Sequence, residues 1–346
     1  MPLLLIFIAT LCAAQSSDYV GAKACAACHP RQAAMQAGTG HARSLHAADQ
    51  HPLAAKFPGE WDIRGPGYSL RFRILKGKLR AQGYDAGNTI DIPVEWAFGA
   101  GDQAVTFVTR INEEWYLEHY RTWYSALGKM APTAGHAQLR PKSLAEAMGL
   151  PYKTADPNTG ILGCFECHST GPVALGPERI IKPSEPGVRC EACHGPGARH
   201  VAAKTRQSIR NPRRMSATEM NTYCGRCHRP PASQGTAIDW NYAWNVRHQP
   251  VYLSQSACFL KSKGRLSCLT CHDTHQPLVK TAASYNRRCQ ACHASPKHRP
   301  ALEPRTNCVD CHMPAVSPQP PLRFTNHWIG VFESGAKLRP VNAVKR

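Results

Sequence analysis

Seven short stretches of this chain repeat one chemical pattern: two cysteines three residues apart, with a histidine directly after the second. They are Cys25–Cys28–His29, Cys164–Cys167–His168, Cys190–Cys193–His194, Cys224–Cys227–His228, Cys268–Cys271–His272, Cys289–Cys292–His293 and Cys308–Cys311–His312. A sequence of this composition would hold about 0.04 copies by chance. Three residues is just under one helical turn, so both thiols point the same way and the histidine follows beneath them. Two thiols so placed can each add to one vinyl group of a haem, and the adjacent imidazole can bind its iron from one side. Zinc ribbons also use paired cysteines, but they do not require a histidine after every second one. The pattern therefore predicts seven covalently attached c-type haems. It uses fourteen of the sixteen cysteines, leaving Cys12 and Cys258.

The opposite face of each iron decides its chemistry. An iron held by two histidines is closed and passes electrons, whereas a five-coordinate iron is open to small molecules. Ten histidines lie outside the motifs. His200 follows a turn-rich Cys-His-Gly-Pro-Gly-Ala-Arg stretch. His275 lies one turn beyond His272, His248 sits in an aromatic segment with Trp240, Tyr242 and Trp244, and His327 lies in Thr-Asn-His-Trp. His41 and His46 follow the first motif, His136 follows Pro-Thr-Ala-Gly, and His298 lies beyond the sixth motif. These eight are the candidate second ligands. His51 and His119 are read as structural. Met313 adjoins a proximal histidine and cannot reach the far face of the same ring.

The motifs are unevenly spread. One lies near residue 25, none between 30 and 163, and six between 164 and 312. About 25 residues per haem cannot bury a porphyrin with side chains alone, so the haems must pack on one another and supply much of the core. Short helices at the motifs, joined by Pro- and Gly-rich loops, are expected there. The gap reads differently. Tyr68–Ile74 alternates apolar and polar residues before a Lys-Gly-Lys turn, Ile90–Trp96 alternates again, and Val105–Ile111 with Trp115–Tyr120 reads as a hairpin. Ser143–Gly149 reads as a short helix with a serine cap and a glycine stop. The fold class expected is α+β with low secondary-structure content: haem-packed short helices and loops plus an antiparallel β-rich insert. The expected organisation is a signal peptide at 1–14, an N-terminal single-haem segment at 15–56, a haem-free antiparallel insert at 57–125, a connecting segment at 126–163, a six-haem domain at 164–330 and a tail at 331–346.

The opening run Met1–Ala14 is apolar, about a dozen residues long and ends in small residues, the pattern of a secretory signal and too short to span a bilayer. It predicts export to the periplasm or another exported compartment, with no membrane span in the mature chain. The formal charge of +19 is offset by the fourteen propionates that seven haems would carry, leaving about +5 before the irons are counted. The basic excess is thus explained by propionate pairing, not by nucleic-acid binding.

With the motifs placed, a resemblance emerges. Tyr19-Val-Gly-Ala-Lys-Ala-Cys-Ala-Ala-Cys-His-Pro resembles the first haem segment of exported multihaem cytochromes with a cytochrome c-552/554-type domain. Gly187–His200, Leu266–His275 and Cys308–Pro314 followed by Thr-Asn-His327 are similar to further segments of that family. The resemblance covers about 19–46 and 164–330, and the insert shows only a general likeness. It implies a periplasmic electron carrier with mostly bis-His haems in stacked pairs, exchanging electrons with redox protein partners, and it favours His200, His275 and His327 as second ligands. The departure is the count, since the small family type has four haems. Relatives also include enzymes acting on hydroxylamine, nitrite or sulfur oxyanions. The alternative reading is therefore an oxidoreductase with one open haem acting on a small nitrogen or sulfur compound, its natural candidate being the isolated first haem or one whose distal histidine is missing.

Overall fold

The computed structural model describes residues 18–63, 67–136, 138–156, 160–229, 237–298 and 306–341. The expected signal segment and Cys12 lie outside them. The architecture is α+β, with antiparallel sheets over the motif gap and short helices at the motifs.

The alternating segments form strands as their periodicity requires. Gly59–Ile63, Tyr68–Leu75, Lys78–Tyr84 and Thr89–Pro93 make a four-stranded antiparallel sheet. Tyr68, Leu70 and Phe72 face inward, while Ser69, Arg71 and Arg73 lie on the other face. The Lys-Gly-Lys turn has positive φ at both central residues, Lys76 at 50° and Gly77 at 74°, the twist that suits a two-residue hairpin. A second sheet runs in the order Leu45–Ala47, Trp96–Phe98, Ala104–Arg110, Trp115–His119 and Gly149–Lys153, with Arg121–Tyr124 and Lys129–Pro132 paired off to one side. The expected hairpin is its middle, with Val108 opposite Glu118. Its loop is tied by the Asn112 carboxamide, which accepts the amides of Glu114 and Trp115. The two sheets share one core containing Phe57, Phe72, Leu79, Phe107 and Met148.

The strand region is wider than 57–125, running from Leu45 to Lys153. Gly149–Lys153 escapes the alternation test because it opens on glycine and contains Pro151, which is tolerated on an edge strand. Gly149 sits at φ 155°, where a Cβ would lie 2.0 Å from the Glu118 carbonyl oxygen. That close approach lets the strand leave the Leu144–Met148 helix and pair at once with His119. The helix is capped by Ser143, whose hydroxyl accepts the Glu146 amide. Residues after the second motif also pair, Ser169–Leu175 with Ile181–Pro186.

Helices cover the motif regions at Gly21–Cys28, Leu162–His168, Cys190–His194, Ala217–His228, Cys268–Cys271, Ala283–Gln290 and Cys308–His312. The longest begins with a full capping box between Ser216 and Glu219. In the C-terminal half the apolar cluster is small: Val246, Val251, Tyr252, Val316 and Trp328, with Trp240 against it. Among the described residues no helix is long and apolar enough to cross a membrane.

Candidate haem-attachment and ligation site

The seven motif histidines lie on or just beyond these helices, and five of them face a second histidine. His29 faces His200 with ring centres 6.2 Å apart and planes 12° apart. His194 faces His275 at 6.1 Å and 25°. His228 and His41 lie 5.9 Å apart, His272 and His327 6.3 Å, and His312 and His298 6.0 Å. An imidazole nitrogen binds a metal ion at about 2 Å and lies about 1 Å from its ring centre, so two imidazoles on opposite sides of one iron have centres about 6 Å apart. All five separations match that gap.

The nitrogens are arranged for the same task. Nδ1 donates to a backbone carbonyl in His168 (Ser44, 3.1 Å), His194 (Arg210, 2.9 Å), His200 (Thr205, 2.9 Å), His312 (Gly330, 2.8 Å) and His327 (Thr325, 2.9 Å). With Nδ1 carrying the proton, Nε2 presents its lone pair to a metal, and the carbonyl fixes the ring orientation. Burial lowers the pKa of His41, His168, His194, His228 and His272, and brings that of His327 to about 4, so these rings stay neutral, the form that ligates.

Supporting groups hold the segments in place. The Glu191 carboxylate, 2 % exposed, accepts the amides of Val20 (3.0 Å), Gly21 (2.7 Å) and Gly197 (2.7 Å). It thereby ties the start of the first motif helix to the third motif and to the loop that leads to His200. Asn326 is fully buried: its carbonyl accepts the Trp328 amide and its Nδ2 donates to the carbonyls of Lys337 and Leu338. The Ser256 hydroxyl donates to the His327 carbonyl and accepts the Ile329 amide, so His327 is clamped from both sides. The motif repeat points to neither Glu191 nor Asn326; the only signal is that each adjoins a functional residue.

Of the eight candidate second ligands, His41, His200, His275, His298 and His327 stand across from a motif histidine. Three do not. His136 is buried in the sheet region, where its Nε2 meets the Glu118 carboxylate at 3.1 Å. His46 lies nearly perpendicular to His51 with ring centres 5.1 Å apart, and its Nε2 is buried without a partner. His248 is half-buried beside Arg229 and Arg247; burial first, then these guanidinium groups, brings its pKa to about 4. His51 accepts the Leu53 amide at Nδ1 and so donates from Nε2 to the Gly99 carbonyl. His119 bonds the Thr109 hydroxyl at 2.7 Å. Among the described residues, which include every histidine of the chain, no second histidine ring faces His168 or His293. The edge of Phe98 packs on His168 instead, 5.3 Å between ring centres. At the first site, one of the two expected candidates for an open iron, the rings of His29 and His200 are the most nearly parallel of the five pairs.

Seven attachment motifs and five facing histidine pairs define a class, the cytochromes that bind haem covalently in numbers. The comparisons agree. The family model described as cytochrome c554 and c-prime matches residues 117–195, from inside the sheet region through the third motif. The multiheme cytochrome MtrA of Shewanella baltica (strain OS185) is 27 % identical over 204 residues, covering 54 % of this chain and 53 % of that protein. The chain thus spans about half the length of that curated relative. Two solved structures are similar at 16 % identity. The outer cell wall cytochrome OcwA covers 90 % of this chain and 79 % of its own, with a TM-score of 0.49. The undecaheme cytochrome from the S-layer of Carboxydothermus ferrireducens covers 86 % and 51 %, with a TM-score of 0.45. On its motifs and its sequence relatives the chain is similar to the multihaem c-type cytochromes. The family match begins at Leu117, where residue patterns alone show only a general likeness.

Proposed function

We propose that this protein is an exported, periplasmic heptahaem cytochrome that passes electrons between redox protein partners, mostly through bis-His haems. The five histidine pairs with ring centres 5.9–6.3 Å apart carry this reading. Haem iron, cycling between its ferric and ferrous states, supplies the redox chemistry when bound. The residues do the rest. Fourteen motif cysteines anchor the porphyrin edges: Cys25, Cys28, Cys164, Cys167, Cys190, Cys193, Cys224, Cys227, Cys268, Cys271, Cys289, Cys292, Cys308 and Cys311. Two imidazoles close both faces at five sites, and carbonyl bonds to Nδ1 keep several of those rings fixed as charge changes. A ligand set that does not rearrange lowers the cost of each electron hop.

Mass spectrometry of the purified protein tests the count, with seven haem additions expected on a chain cleaved near Ala14. Fewer additions would remove the heptahaem reading. Full reduction by dithionite followed by complete re-oxidation with an external redox protein tests the carrier role.

A second reading is favoured at two places only. His168 and His293 face no second histidine, and an iron held there from one side alone would bind small nitrogen or sulfur compounds. Titration of the reduced protein with carbon monoxide separates the readings: two equivalents per chain place open irons at these sites, and none leaves a carrier with every iron closed.

A further inference from the structure

The attachment helices do not pack in chain order. The first lies against the third, where the Glu191 carboxylate accepts the amides of Val20 and Gly21 and clamps the two segments. The third lies against the fourth, where the Tyr223 hydroxyl reaches the carbonyls of Ala192 and Cys193 at 3.2 and 2.8 Å. The fourth meets the fifth where the Cys268 thiol donates to Asn221 Oδ1 at 3.5 Å. The fifth meets the sixth where Tyr285 packs edge-on against His272, ring centres 5.9 Å apart. The sixth meets the seventh, where the Cys308 amide donates to Asn286 Oδ1 at 3.0 Å. The second site joins elsewhere: its His168 donates from Nδ1 to the Ser44 carbonyl at 3.1 Å, and Ser44 lies in the same turn as His41, whose ring centre is 5.9 Å from that of His228 at the fourth site.

Every motif thiol becomes a thioether on the edge of its own porphyrin, so two attachment segments in contact bring two porphyrin edges together. From these contacts we infer that the seven haems form a branched line. Its stem runs first, third, fourth, fifth, sixth, seventh, and the second haem is a side arm attached at the fourth. This inference rests on the reading that all seven motifs carry haem. The histidine rings agree with it. His41 and His228 of the fourth site have His168 of the second and His272 of the fifth as electrostatic neighbours, and His194 of the third has His29 and His200 of the first. Each hop oxidises one iron by one electron and reduces its neighbour. An electron entering at the first haem therefore reaches either the seventh or the second only through the fourth, which is the node of the molecule.

The native haem-loaded protein tests this directly. An anomalous difference map at the iron edge should give the fourth iron three nearest iron neighbours (the second, third and fifth) and the first, second and seventh irons one each. A fourth iron with two neighbours, or a second iron beside the first, would overturn the branch. Electron paramagnetic resonance gives an independent readout. His41→Met should raise the potential of the fourth haem, so that it is reduced first and becomes diamagnetic. That reduction should sharpen three neighbouring haem signals, whereas His200→Met at the first haem should sharpen one; equal numbers would also overturn it. If the methionine variants do not fold, the iron map decides alone. Failure of the carrier reading shows differently, as haems that do not exchange electrons with an external donor whatever the map contains.

Discussion

The imidazole of His200 lies nearly parallel to that of His29, ring centres 6.2 Å apart and planes 12° apart. The two belong to the third and first attachment segments, so on the proposed bis-His reading one ligand pair would both close an iron and staple two segments together. The Thr205 carbonyl takes the Nδ1 proton of His200 and leaves Nε2 for the metal. Replacing His200 by Met should convert one haem of the seven to His/Met ligation. Its midpoint should rise by a sizeable part of the ~0.8 V that axial ligands span, with the other haems little changed. Potentiometry followed by visible spectra measures this. A uniform shift of all haems, or none, would remove His200 from the ligand set.

Glu191 presents a different case, because it touches no ring. Its carboxylate neutralises three backbone donors in a nearly dry setting, and alanine would leave them without partners. Each orphaned donor costs about 1–3 kcal/mol, with partial relief from entering water, so Glu191→Ala should destabilise the chain by about 2–4 kcal/mol. The loss should be local. Hydrogen exchange should quicken in Gly21–Cys28 and Ala198–Ala203 before it does in the sheets, and haem loading at the first motif should fall.

Gly149 offers a backbone test of the sheet region. At φ 155°, with the Glu118 carbonyl oxygen 2.0 Å from where a Cβ would stand, no side chain fits without moving the strand. Gly149→Ala should cost about 2–3 kcal/mol, more than the fractions of a kcal/mol usual for this exchange at open positions, and should free the Gly149–Lys153 edge strand. Thermal unfolding gives the size of the loss, and exchange rates at Tyr152 and Lys153 give its place.

What could be read from residues alone follows from range. The motifs announce themselves because thioether chemistry needs three residues and an adjacent imidazole, all local. The strand Tyr68–Leu75 announces itself because one face is buried and the other is not, again local. Which imidazole faces which is not local. His41 follows the first motif yet faces His228 of the fourth, and His275 follows the fifth yet faces His194 of the third. Such pairings depend on how distant segments stack. His136 shows the converse: its loop setting resembles that of a swinging ligand, but the nearby Glu118 carboxylate occupies its Nε2. Gly149–Lys153 and Ser169–Leu175 pair as strands although glycine and proline break their alternation, because edge positions tolerate both.

His119 makes the sheet region sensitive to acid. It is fully buried between strands, Nε2 on the Thr109 hydroxyl and Nδ1 without a partner, and burial brings its pKa down to about 3 from an ordinary 6.5. The unfolded chain therefore binds this proton at a higher pH than the folded one. Above pH 6.5 the residue is neutral in both states and its contribution to stability is whole. As pH falls from 6.5 toward 3, the unfolded state alone gains the proton, and stability falls by about 1.4 kcal/mol per pH unit from this group. His119→Phe should remove that slope while keeping the ring volume, at some cost at neutral pH for the lost Thr109 bond. Hydrogen exchange of Ala104–Arg110 and Trp115–His119 between pH 6.5 and 4, corrected for intrinsic rates, follows the sheet apart from the haems. An unchanged slope in the variant would show that another buried group, not His119, takes up the proton.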